Sequence, residues 1–503
     1  MRKTASGYRL IFGYLGLFIV FVGIATLLPL LVLPLPFFRS EISDWYCFAI
    51  PGGASLILGS LLFSLIIKRT KAQLGKFQDC ILLVLVWVVA ILISSIPFII
   101  KGKSFVNSIF ETTSAYATVG LSVFEAADYE MKLFVLYRSI LCFFGGIGLV
   151  LVVTSAVSDR YGLKLYIAEG HNDKLMPNLA KSARLMLSIY FGITLLGVAL
   201  YYLAGMPLFD AVIHSISAVA TGGFSSRPEG LMAFASYKNF GLIQLISALL
   251  MILGAMNFLL HMFIISGKFK KVTKDCEVRL FVILLIVFIP LFFLASLAGN
   301  GWKDPLNALS TGSFTFISAL TTTGFTNVSG VFGSVSTITK IGEGVLFLIV
   351  IVNIIGGGMG STAGGVKQYR FAVIGKSFYW VTKEKLESSN IIFPHYVWRF
   401  GEQKEITSKD TAESFGYMSL YILFLFVGAF FITVFDKYTF GESLFEFSNA
   451  LSSTGMSNGI CVGGNIATKW ILIIGMFAGR LEILGIYFAL YRFVRDIFGK
   501  ETV

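Results

Sequence analysis

The sequence contains few charged residues and no pattern of paired cysteines. Of its 503 residues, 14% are charged and 56% are hydrophobic, and the mean hydropathy is +0.81. Soluble domains carry about 25% charged residues, so this deficit argues against a soluble protein. The five cysteines and four histidines are scattered, without a Cys-x-x-Cys motif or metal-ligand spacing. The sequence therefore predicts neither disulfide bonds nor a zinc site.

Signatures of enzymes and of nucleic-acid binding are also missing. No nucleophile lies near a base, and the Gly-Lys-Ser at 375–377 has Arg370 where a Walker motif needs its first glycine. The net charge of +12 does not require nucleic acid, because basic residues accumulate in the cytoplasmic loops of membrane proteins. We predict no enzyme activity, no organic cofactor and no nucleic-acid partner.

Long apolar segments are what the chain does have. The first runs from Arg9 to Pro34 and exceeds the ~20 residues that cross a bilayer. No small-residue cleavage site follows it, which indicates an uncleaved span. We predict ten spans, of which the eighth is interrupted: 9–34, 48–68, 77–100, 133–157, 184–204, 238–266, 278–298, 340–380, 413–436 and 469–497.

Lysine and arginine set the predicted orientation. With a cytoplasmic N-terminus, the inner segments hold 28 of the 40 basic residues, so both termini are predicted to be cytoplasmic. The outer segments hold acidic residues, among them Glu111, Asp210 and Glu446. Such residues would form a partly acidic mouth that concentrates cations. The alternative, which we favour for most of them, is that they are ordinary solvated loop charges.

A nine-residue polar segment occurs four times between predicted spans. It reads SAYATVGLS at 114–122, SAVATGGFS at 217–225, SALTTTGFT at 318–326 and NALSSTGMS at 449–457. Aligned on their shared glycine, all four have alanine five positions upstream and hydroxyl residues two positions upstream and downstream. Such repetition indicates one structural unit used four times, here a span, a short re-entrant segment and a second span. An ordinary turn loop would explain one copy, but not four matched copies on one membrane face.

The place of these segments in the membrane constrains their structure. Irregular backbone at membrane depth must be buried in protein or line a water-filled cavity. Short helices, for example 105–117, followed by extended returns would present rings of carbonyl oxygens that replace the hydration shell of a cation. The predicted K⁺ filter consists of a glycine in each repeat and the two residues before it, which are the predicted K⁺ ligands: Thr118, Val119, Gly120; Thr221, Gly222, Gly223; Thr322, Thr323, Gly324; and Ser453, Thr454, Gly455.

These features together predict an all-α multi-pass membrane protein. Four span–pore loop–span repeats are expected in a pseudo-fourfold arrangement, preceded by two N-terminal spans. The predicted units are the N-terminal segment 1–76 and the repeats 77–175, 176–277, 278–412 and 413–503.

The four segments resemble the filter loops of the Trk/Ktr/HKT superfamily of cation transporters. Other segments agree with that superfamily: YRSILCFFGGIGLVLVVTSA from Tyr137, MILGAMNFLLH from Met251, GGGMGSTAGGVKQYR from Gly356 and GRLEIL from Gly479. The resemblance covers the chain from about residue 77. The two additional N-terminal spans make the chain most similar to the TrkH/TrkG branch.

The resemblance implies K⁺ uptake across the bacterial inner membrane by a homodimer with one pore per subunit. It also implies regulation by a cytosolic TrkA-like subunit that binds NAD(H), ATP or ADP. Sodium-selective members of the plant branch often have serine at the first filter glycine, so Gly120 favours K⁺. The departures are small: the third loop ends in Thr326 and the fourth begins with Asn449. Coupling to H⁺ or Na⁺, and permeation by Na⁺ or NH₄⁺, stay open as alternatives.

The eighth span contains a glycine-rich segment that would weaken a helix. Each glycine costs about 1 kcal/mol relative to alanine in a helix. We therefore predict an intramembrane loop at 356–365, and the resemblance implies that it crosses the conduction path. One alternative is a dinucleotide fingerprint at 358–363, which needs a preceding strand, and another is close helix packing. The predicted gate comprises Gly356, Gly357, Gly358, Gly360, Ser361, Thr362, Gly364, Gly365 and Arg480.

Arg480 lies near the middle of the last predicted span and Arg138 near the outer end of the fourth. A charge within a span is costly and usually functional. The resemblance places Arg480 near the intramembrane loop, and we predict that it bonds loop carbonyls and opposes cations when the pore is closed. The alternative is pairing with a buried carboxylate, although Glu482 points to another side of the helix. Arg138 is predicted to tether a filter loop or to reach the interface.

Three predicted inner segments carry many charged residues: 158–183, 267–277 and 376–412. We predict that they form the docking surface of the cytosolic regulator, with solvated loops as the alternative. Membrane lipid is the other expected partner.

Overall fold

The computed structural model describes residues 7–66, 77–148, 179–299, 301–328, 342–387 and 394–498. Most of these residues are helical. In chain order, the α-helices are α1 (Tyr8–Leu27), α2 (Trp45–Ile66), α3 (Gln78–Ile100), α4 (Phe105–Tyr116), α5 (Lys132–Ile147), α6 (Leu179–Leu203), α7 (Leu208–Val219), α8 (Phe240–Ala255), α9 (Phe258–Ile265), α10 (Phe269–Lys274), α11 (Cys276–Gly299), α12 (Pro305–Leu320), α13 (Glu343–Ile355), α14 (Gln368–Leu386), α15 (Ser408–Phe435), α16 (Phe440–Ser452), α17 (Ile460–Gly463), α18 (Ile466–Arg480) and α19 (Ile483–Phe498).

Six unbroken helical segments are long and apolar enough to cross a membrane. They are 8–32, 36–66, 78–100, 183–203, 276–299 and 408–435, and they correspond to the first, second, third, fifth, seventh and ninth predicted spans. The prediction of an all-α, multi-pass membrane protein is thus confirmed. The fourth predicted span begins as α5, and its part beyond residue 148 lies outside the described residues.

Three predicted spans are broken helices. The interruption predicted in the eighth span separates α13 from α14. The sixth and tenth were expected to be continuous, and this was wrong: α8 and α9 meet at 109°, and α18 and α19 at 98°. The Asn257 side chain caps the new helix α9 by accepting the Leu259 N–H, and Glu482 has a left-handed φ of 57°, which no α-helix accommodates.

The N-terminal helices α1 and α2 form a close pair because glycines face each other. A Cβ atom at Gly16 would lie 2.8 Å from the carbonyl oxygen of Gly59, and one at Gly23 would lie 2.9 Å from that of Gly52. Small residues allow such backbone approach in membranes, where van der Waals packing drives helix association. At the other end of α1, the Tyr8 hydroxyl donates to Asp496 of α19 at 3.0 Å, so the first and last described helices meet.

A short hairpin is the only β-structure among the described residues. Its strands β1 (Tyr396–Arg399) and β2 (Glu402–Glu405) are antiparallel, with Tyr396 opposite Glu405. Phe400 and Gly401 both have positive φ, as a tight two-residue hairpin turn requires. The hairpin connects α14 to α15 and packs its buried residues against both α14 and the start of α11.

Candidate ion pathway

Four short helices, α4, α7, α12 and α16, each stand between two long apolar segments and end at one of the repeated segments. Three of them begin with a capping side chain, which accepts a hydrogen bond from a backbone N–H group that has no acceptor within the helix. Ser104 accepts from the Asn107 N–H at 3.3 Å, Asp304 from the Asn307 N–H at 3.2 Å, and Thr439 from the Glu442 N–H at 3.3 Å. Local sequence therefore fixes where these helices start.

All four short helices end in the same way. In the first repeat, the Thr118 N–H donates to Ala115 O at 3.1 Å and the Val119 N–H donates to Ser114 O at 2.9 Å. The equivalent pair of bonds closes the helices at 217–222, 318–323 and 449–454. This is the Schellman arrangement, in which a left-handed residue turns the chain out of the helix.

The left-handed residue is a hydroxyl residue in every repeat. Its φ is 51° at Thr118, Thr221 and Thr322, and 60° at Ser453. A residue other than glycine in this region costs about 1–3 kcal/mol, most clearly the β-branched threonines, and it persists only where the surroundings enforce it. The recurrence of this cost in four repeats marks the position as one that serves the site.

The four repeated glycines form a closed ring. A Cβ atom at Gly120 would lie 3.2 Å from the Cα of Gly223, and one at Gly223 would lie 3.4 Å from the Cα of Gly324. One at Gly324 would lie 3.3 Å from the carbonyl carbon of Gly455, which in turn approaches Gly120. All four have positive φ. Only glycine fits this combination of dihedral and close approach.

Carbonyl oxygens belong to the same ring. The atom nearest to each added Cβ is the carbonyl oxygen of the residue that precedes the neighbouring glycine. These four residues are Gly222, Thr323, Thr454 and Val119. The structure therefore brings together all twelve residues of the predicted filter, in the order of the repeats around one axis.

Two buried glutamates brace the filter loops, each nine residues before its glycine. Glu111 accepts from the Ser122 hydroxyl at 2.9 Å and the Val123 N–H at 3.1 Å. Glu446 accepts from the Ser457 hydroxyl at 2.7 Å and the Asn458 N–H at 3.0 Å. Carboxylates that accept such bonds fix the loop that follows the filter glycine.

The other two repeats have different residues at this position. His214 lies 3.1 Å from the Ser225 hydroxyl through Nε2, and Thr315 occupies the equivalent place in the third repeat. Sequence reasoning missed this position, although extending the repeat alignment three residues upstream would have revealed it. The bracing of the ring is therefore not fourfold symmetric.

Arg138 links the first two filter loops, as one of its predicted roles proposed. The side chain is fully buried and pairs with Glu111 at 2.7 Å. It also donates to the Ser122 hydroxyl at 3.1 Å and to the Ser225 carbonyl at 2.8 Å. A buried guanidinium with these partners joins two repeats instead of reaching the interface.

Three of the acidic residues that were predicted to lie in outer segments are buried within the protein. Glu111, Asp210 and Glu446 are all at most 2% exposed, so they are neither solvated loop charges nor mouth residues. Asp210 pairs with Arg227 at 2.9 Å and accepts from the Ser226 hydroxyl at 2.6 Å. The hydrogen bond from Arg227 to this carboxylate raises the pKa of the guanidinium, and burial opposes that shift.

The glycine-rich loop at 356–365 lies directly against the ends of the short helices. The Thr362 hydroxyl lies 2.9 Å from Gly254 O, 3.1 Å from Val219 O and 3.1 Å from the Thr221 hydroxyl. It therefore contacts the second repeat at its left-handed threonine. The segment 358–363 follows a helix and not a strand, which removes the dinucleotide-binding alternative.

The same loop reaches the third and fourth repeats. The Gly364 N–H donates to the Thr322 hydroxyl at 2.8 Å. A Cβ atom at Gly364 would lie 2.8 Å from the carbonyl carbon of Ser452. The loop is thus packed across the underside of the ring.

Arg480 joins this loop to the first repeat. It donates to Thr362 O at 2.8 Å, to Gly146 O at 2.9 Å and to Gly145 O. The predicted bonds to loop carbonyls are therefore present. Glu482 pairs instead with Arg370 at 2.8 Å. The predicted absence of an Arg480–Glu482 pair is correct, but the reason given was wrong, because the helix ends at Arg480 and Glu482 lies in the bend.

A second contact connects the loop to the β-hairpin. Glu277 accepts from the Met359 N–H at 2.7 Å and lies 3.7 Å from Arg399 of β1. Asp275, next to it, accepts from the Phe400 N–H at 2.9 Å. Burial raises the pKa of Asp275, and the bond from Phe400 opposes this shift. The hairpin and the intramembrane loop thus share one buried acidic neighbour.

Comparison with known proteins agrees with this architecture. The family model for TrkH, described as a cation transport protein, matches residues 78–492. The chain belongs to the TrkH family. Its N-terminal pair of helices precedes the matched region, and all four of the repeated nine-residue segments lie within it.

Members of the TrkH family from both bacteria and archaea are similar to the chain. It is 29% identical to an uncharacterized cation transporter of Methanocaldococcus jannaschii, over 96% of this chain and 95% of that protein. It is 30% identical to the Trk system potassium uptake protein TrkG of Escherichia coli, over 83% of this chain and 85% of that protein. The crystal structure of the potassium transporter TrkH from Vibrio parahaemolyticus superposes with a TM-score of 0.82 at 25% identity, covering 98% of this chain and 100% of that one.

These findings confirm the predicted resemblance and the pseudo-fourfold architecture. Because TrkH-family proteins are ion transporters, the prediction that the chain is not an enzyme is also confirmed.

Proposed function

We propose that this chain is the pore subunit of a K⁺ uptake system. The observation that carries the proposal is the closed ring of Gly120, Gly223, Gly324 and Gly455 with a carbonyl oxygen at each contact. The names of the bacterial relatives, which are potassium uptake proteins, support K⁺ as the ion. K⁺ enters this account as transported substrate and not as a cofactor.

The filter would work by replacing water with main-chain oxygen. Carbonyl oxygens of the two residues before each glycine would coordinate the ion, as in other K⁺ filters. The C-terminal ends of α4, α7, α12 and α16 all meet at the ring. Their partial negative charge favours a cation there.

The loop 356–365 and Arg480 would form the gate. The loop is packed under the ring through Thr362 and Gly364, and Arg480 holds it to the first repeat. A fixed guanidinium below the filter opposes a cation, and the loop blocks its path. Opening would require the loop to leave these contacts.

The remaining parts of the proposal concern the assembly. We place the chain in the bacterial inner membrane with both termini in the cytoplasm, as a homodimer with a cytosolic TrkA-like subunit that binds NAD(H), ATP or ADP. The naming of relatives as parts of a Trk system supports a regulatory partner. Within the proposed docking surface, 158–178 and 388–393 lie outside the described residues. The hairpin within 376–412 contacts Glu277, which accepts a hydrogen bond from the loop residue Met359. The predicted unit boundaries, 1–76, 77–175, 176–277, 278–412 and 413–503, belong to this proposal.

Replacing Gly120 by serine tests the filter. The added side chain would meet the carbonyl of Gly222 and displace it. We expect the K⁺/Na⁺ permeability ratio to fall about tenfold, equivalent to about 1.4 kcal/mol of lost discrimination. The measurement is the reversal potential of the purified chain in liposomes under mixed K⁺ and Na⁺ gradients.

Gly102→Ser is the matched control. Gly102 has a φ of 95°, close to the 91° of Gly120, but a Cβ atom there would meet nothing within 4 Å. The Gly102→Ser variant places a side chain at a similar positive φ, but the Cβ atom of this side chain contacts no neighbouring atom. The K⁺/Na⁺ permeability ratio of this variant should therefore match that of the unsubstituted chain. Unchanged selectivity in Gly120→Ser would refute the filter assignment. A reversal potential that moves with pH at fixed K⁺ would instead indicate proton-coupled symport.

A further inference from the structure

A cavity of about 770 Å³ lies between the start of α11, α14 and β1, apart from the ion pathway. Four basic side chains line it: Lys274, Arg279, Lys376 and Lys383. Among the described residues that line it, none is acidic. A concave surface with one sign of charge concentrates ligands of the opposite sign. The lining therefore fits an anion.

Some of these cations are held in place by neighbouring groups. The Arg279 Nε donates to Thr273 O at 3.2 Å, which leaves its terminal nitrogens available on an exposed side chain. The Lys274 ammonium lies 4.7 Å from the ring of Trp398, within cation–π range. The side chains of Arg279 and Lys274 are thus partly fixed in position before a ligand binds.

A second part of the cavity lining is apolar, and two of its residues belong to α11, which is apolar enough to cross a membrane. Leu280, Ile283 and Phe371 form this part, and Ile283 is 55% exposed. Of the most apolar 18-residue stretch of α11, only 17% is buried within the protein. This surface requires an apolar neighbour, which in a membrane is an acyl chain.

Aromatic side chains lie among the basic ones in the cavity lining. Trp380 and Trp398 line the cavity together with Tyr379 and Tyr396. Tryptophan and tyrosine concentrate at the level of lipid headgroups. The cavity lining therefore combines basic, aromatic and apolar side chains, which match the phosphate, the interfacial region and the acyl chain of a phospholipid.

We propose that this cavity binds an anionic phospholipid, with the headgroup phosphate among the basic side chains and an acyl chain along α11. Basic pockets between helices on the cytoplasmic side of membranes recognise such headgroups. A soluble phosphate would contact only the basic side chains and would leave the apolar residues of the lining uncovered. The proposal does not depend on the transported ion.

The test uses the fluorescence of the two tryptophans in the cavity. The full-length protein is reconstituted in phosphatidylcholine bilayers, with brominated phosphatidylglycerol or brominated phosphatidylcholine added in equal amounts. The signal of the cavity is the difference between this protein and a Trp380→Phe/Trp398→Phe variant. We expect brominated phosphatidylglycerol to quench at an about tenfold lower mole fraction than brominated phosphatidylcholine.

Neutralising the cavity should remove this preference. In the triple variant Arg279→Gln, Lys376→Gln, Lys383→Gln, the two brominated lipids should quench at equal mole fractions. Thermal unfolding of the variant, followed by circular dichroism, checks that it is folded. Retention of the full preference in a folded triple variant would overturn the proposal.

A charge-matched control separates the cavity from general surface attraction. Lys268, Lys270 and Lys409 are exposed and do not line the cavity. Their triple replacement by glutamine should keep the preference, and an equal loss there would contradict the proposal. Loss of preference on addition of inorganic phosphate would identify a soluble anion instead, and absence of quenching by either lipid would mean that protein covers the cavity. Both results would also overturn it.

Discussion

The position nine residues before each filter glycine determines how firmly its loop is held. The first and fourth repeats have a buried carboxylate there and the second has His214, whereas the third has Thr315, whose buried hydroxyl has no hydrogen-bond partner among the described residues. Bonds to a charged acceptor are worth about 1.5–3 kcal/mol each, more than bonds between neutral groups. We therefore expect the first and fourth loops to be the most rigid quarters of the ring.

Replacing Glu446 by glutamine tests this bracing at a single residue. The amide oxygen can still accept from Ser457, but the amide NH₂ would face the Asn458 N–H, so two donors oppose each other. We expect a loss of about 2 kcal/mol in stability and a lower K⁺/Na⁺ permeability ratio. Thermal unfolding and reversal potentials in liposomes measure the two effects.

Glu442→Gln on the same helix is the control for Glu446→Gln. Glu442 belongs to the capping box at the start of α16 and accepts from the Thr439 N–H at 2.9 Å. Its replacement weakens only a helix cap, at a cost of about 1 kcal/mol. Selectivity should therefore be kept. Equal loss of selectivity in both variants would show that general destabilisation, and not bracing, sets the ratio.

At the scale of elements, the β-hairpin and the intramembrane loop are connected through one carboxylate, that of Glu277. Arg399 of β1 and the Met359 N–H of the loop both lie against Glu277. Arg399 also lies 4.1 Å from the ring of Tyr369, near the start of α14. A partner that moves the hairpin would alter the one carboxylate that holds Met359.

Replacing Arg399 by glutamine tests this coupling without touching the loop. Without its cationic neighbour, Glu277 should hold the Met359 N–H less firmly. We expect hydrogen exchange in peptides that cover 356–365 to accelerate about tenfold, which corresponds to about 1.4 kcal/mol of lost protection. Mass spectrometry of the intact membrane protein measures this rate.

Glu402→Gln serves as the comparison within the same hairpin. Glu402 is exposed on β2, opposite Arg399 in the strand register. It should leave exchange in the loop unchanged. If Arg399→Gln gave no acceleration, the hairpin would not be coupled to the loop through Glu277.

At the scale of the whole molecule, features that recur along the sequence could be predicted. Features that depend on a single residue, or on contacts between repeats, could not. Four matched segments predicted the ring, and six glycines predicted the interruption between α13 and α14. The bends at Asn257 and Glu482 could not be predicted, because each involves one residue within an apolar run and depends on its cap and dihedral angle. The hairpin turn at Phe400–Gly401 lacks the asparagine or aspartate that usually signals such turns.

Buried charges illustrate the same limit. The burial of Glu111 and Glu446 depends on the loop that folds back over each short helix, and Arg138 meets Glu111 only once α5 packs against α4. A sequence shows that such residues are acidic or basic, but their desolvation is a property of the assembled repeats. For Glu111 and Glu446, the prediction of an outer loop charge was wrong for this reason.

Arg480 acts at the scale of the whole molecule because its side chain connects three repeats. From the last repeat it holds Thr362 O of the third and Gly145 O and Gly146 O of the first. Bonds from a charged donor contribute about 1.5–3 kcal/mol each to the state that makes them. Replacing Arg480 by alanine should therefore destabilise the closed state and raise Rb⁺ uptake into liposomes about tenfold or more without a regulator.

Thr362→Val separates the two ways in which Arg480 would close the pore. Valine keeps the shape of the side chain but loses the bonds to Gly254 O and Val219 O, while the guanidinium stays in place. If contacts hold the loop shut, this variant should also raise uptake, by a smaller factor. If charge alone opposes the ion, only Arg480→Ala should raise it. Normal uptake in both variants, at normal expression and stability, would exclude the loop and Arg480 as the gate.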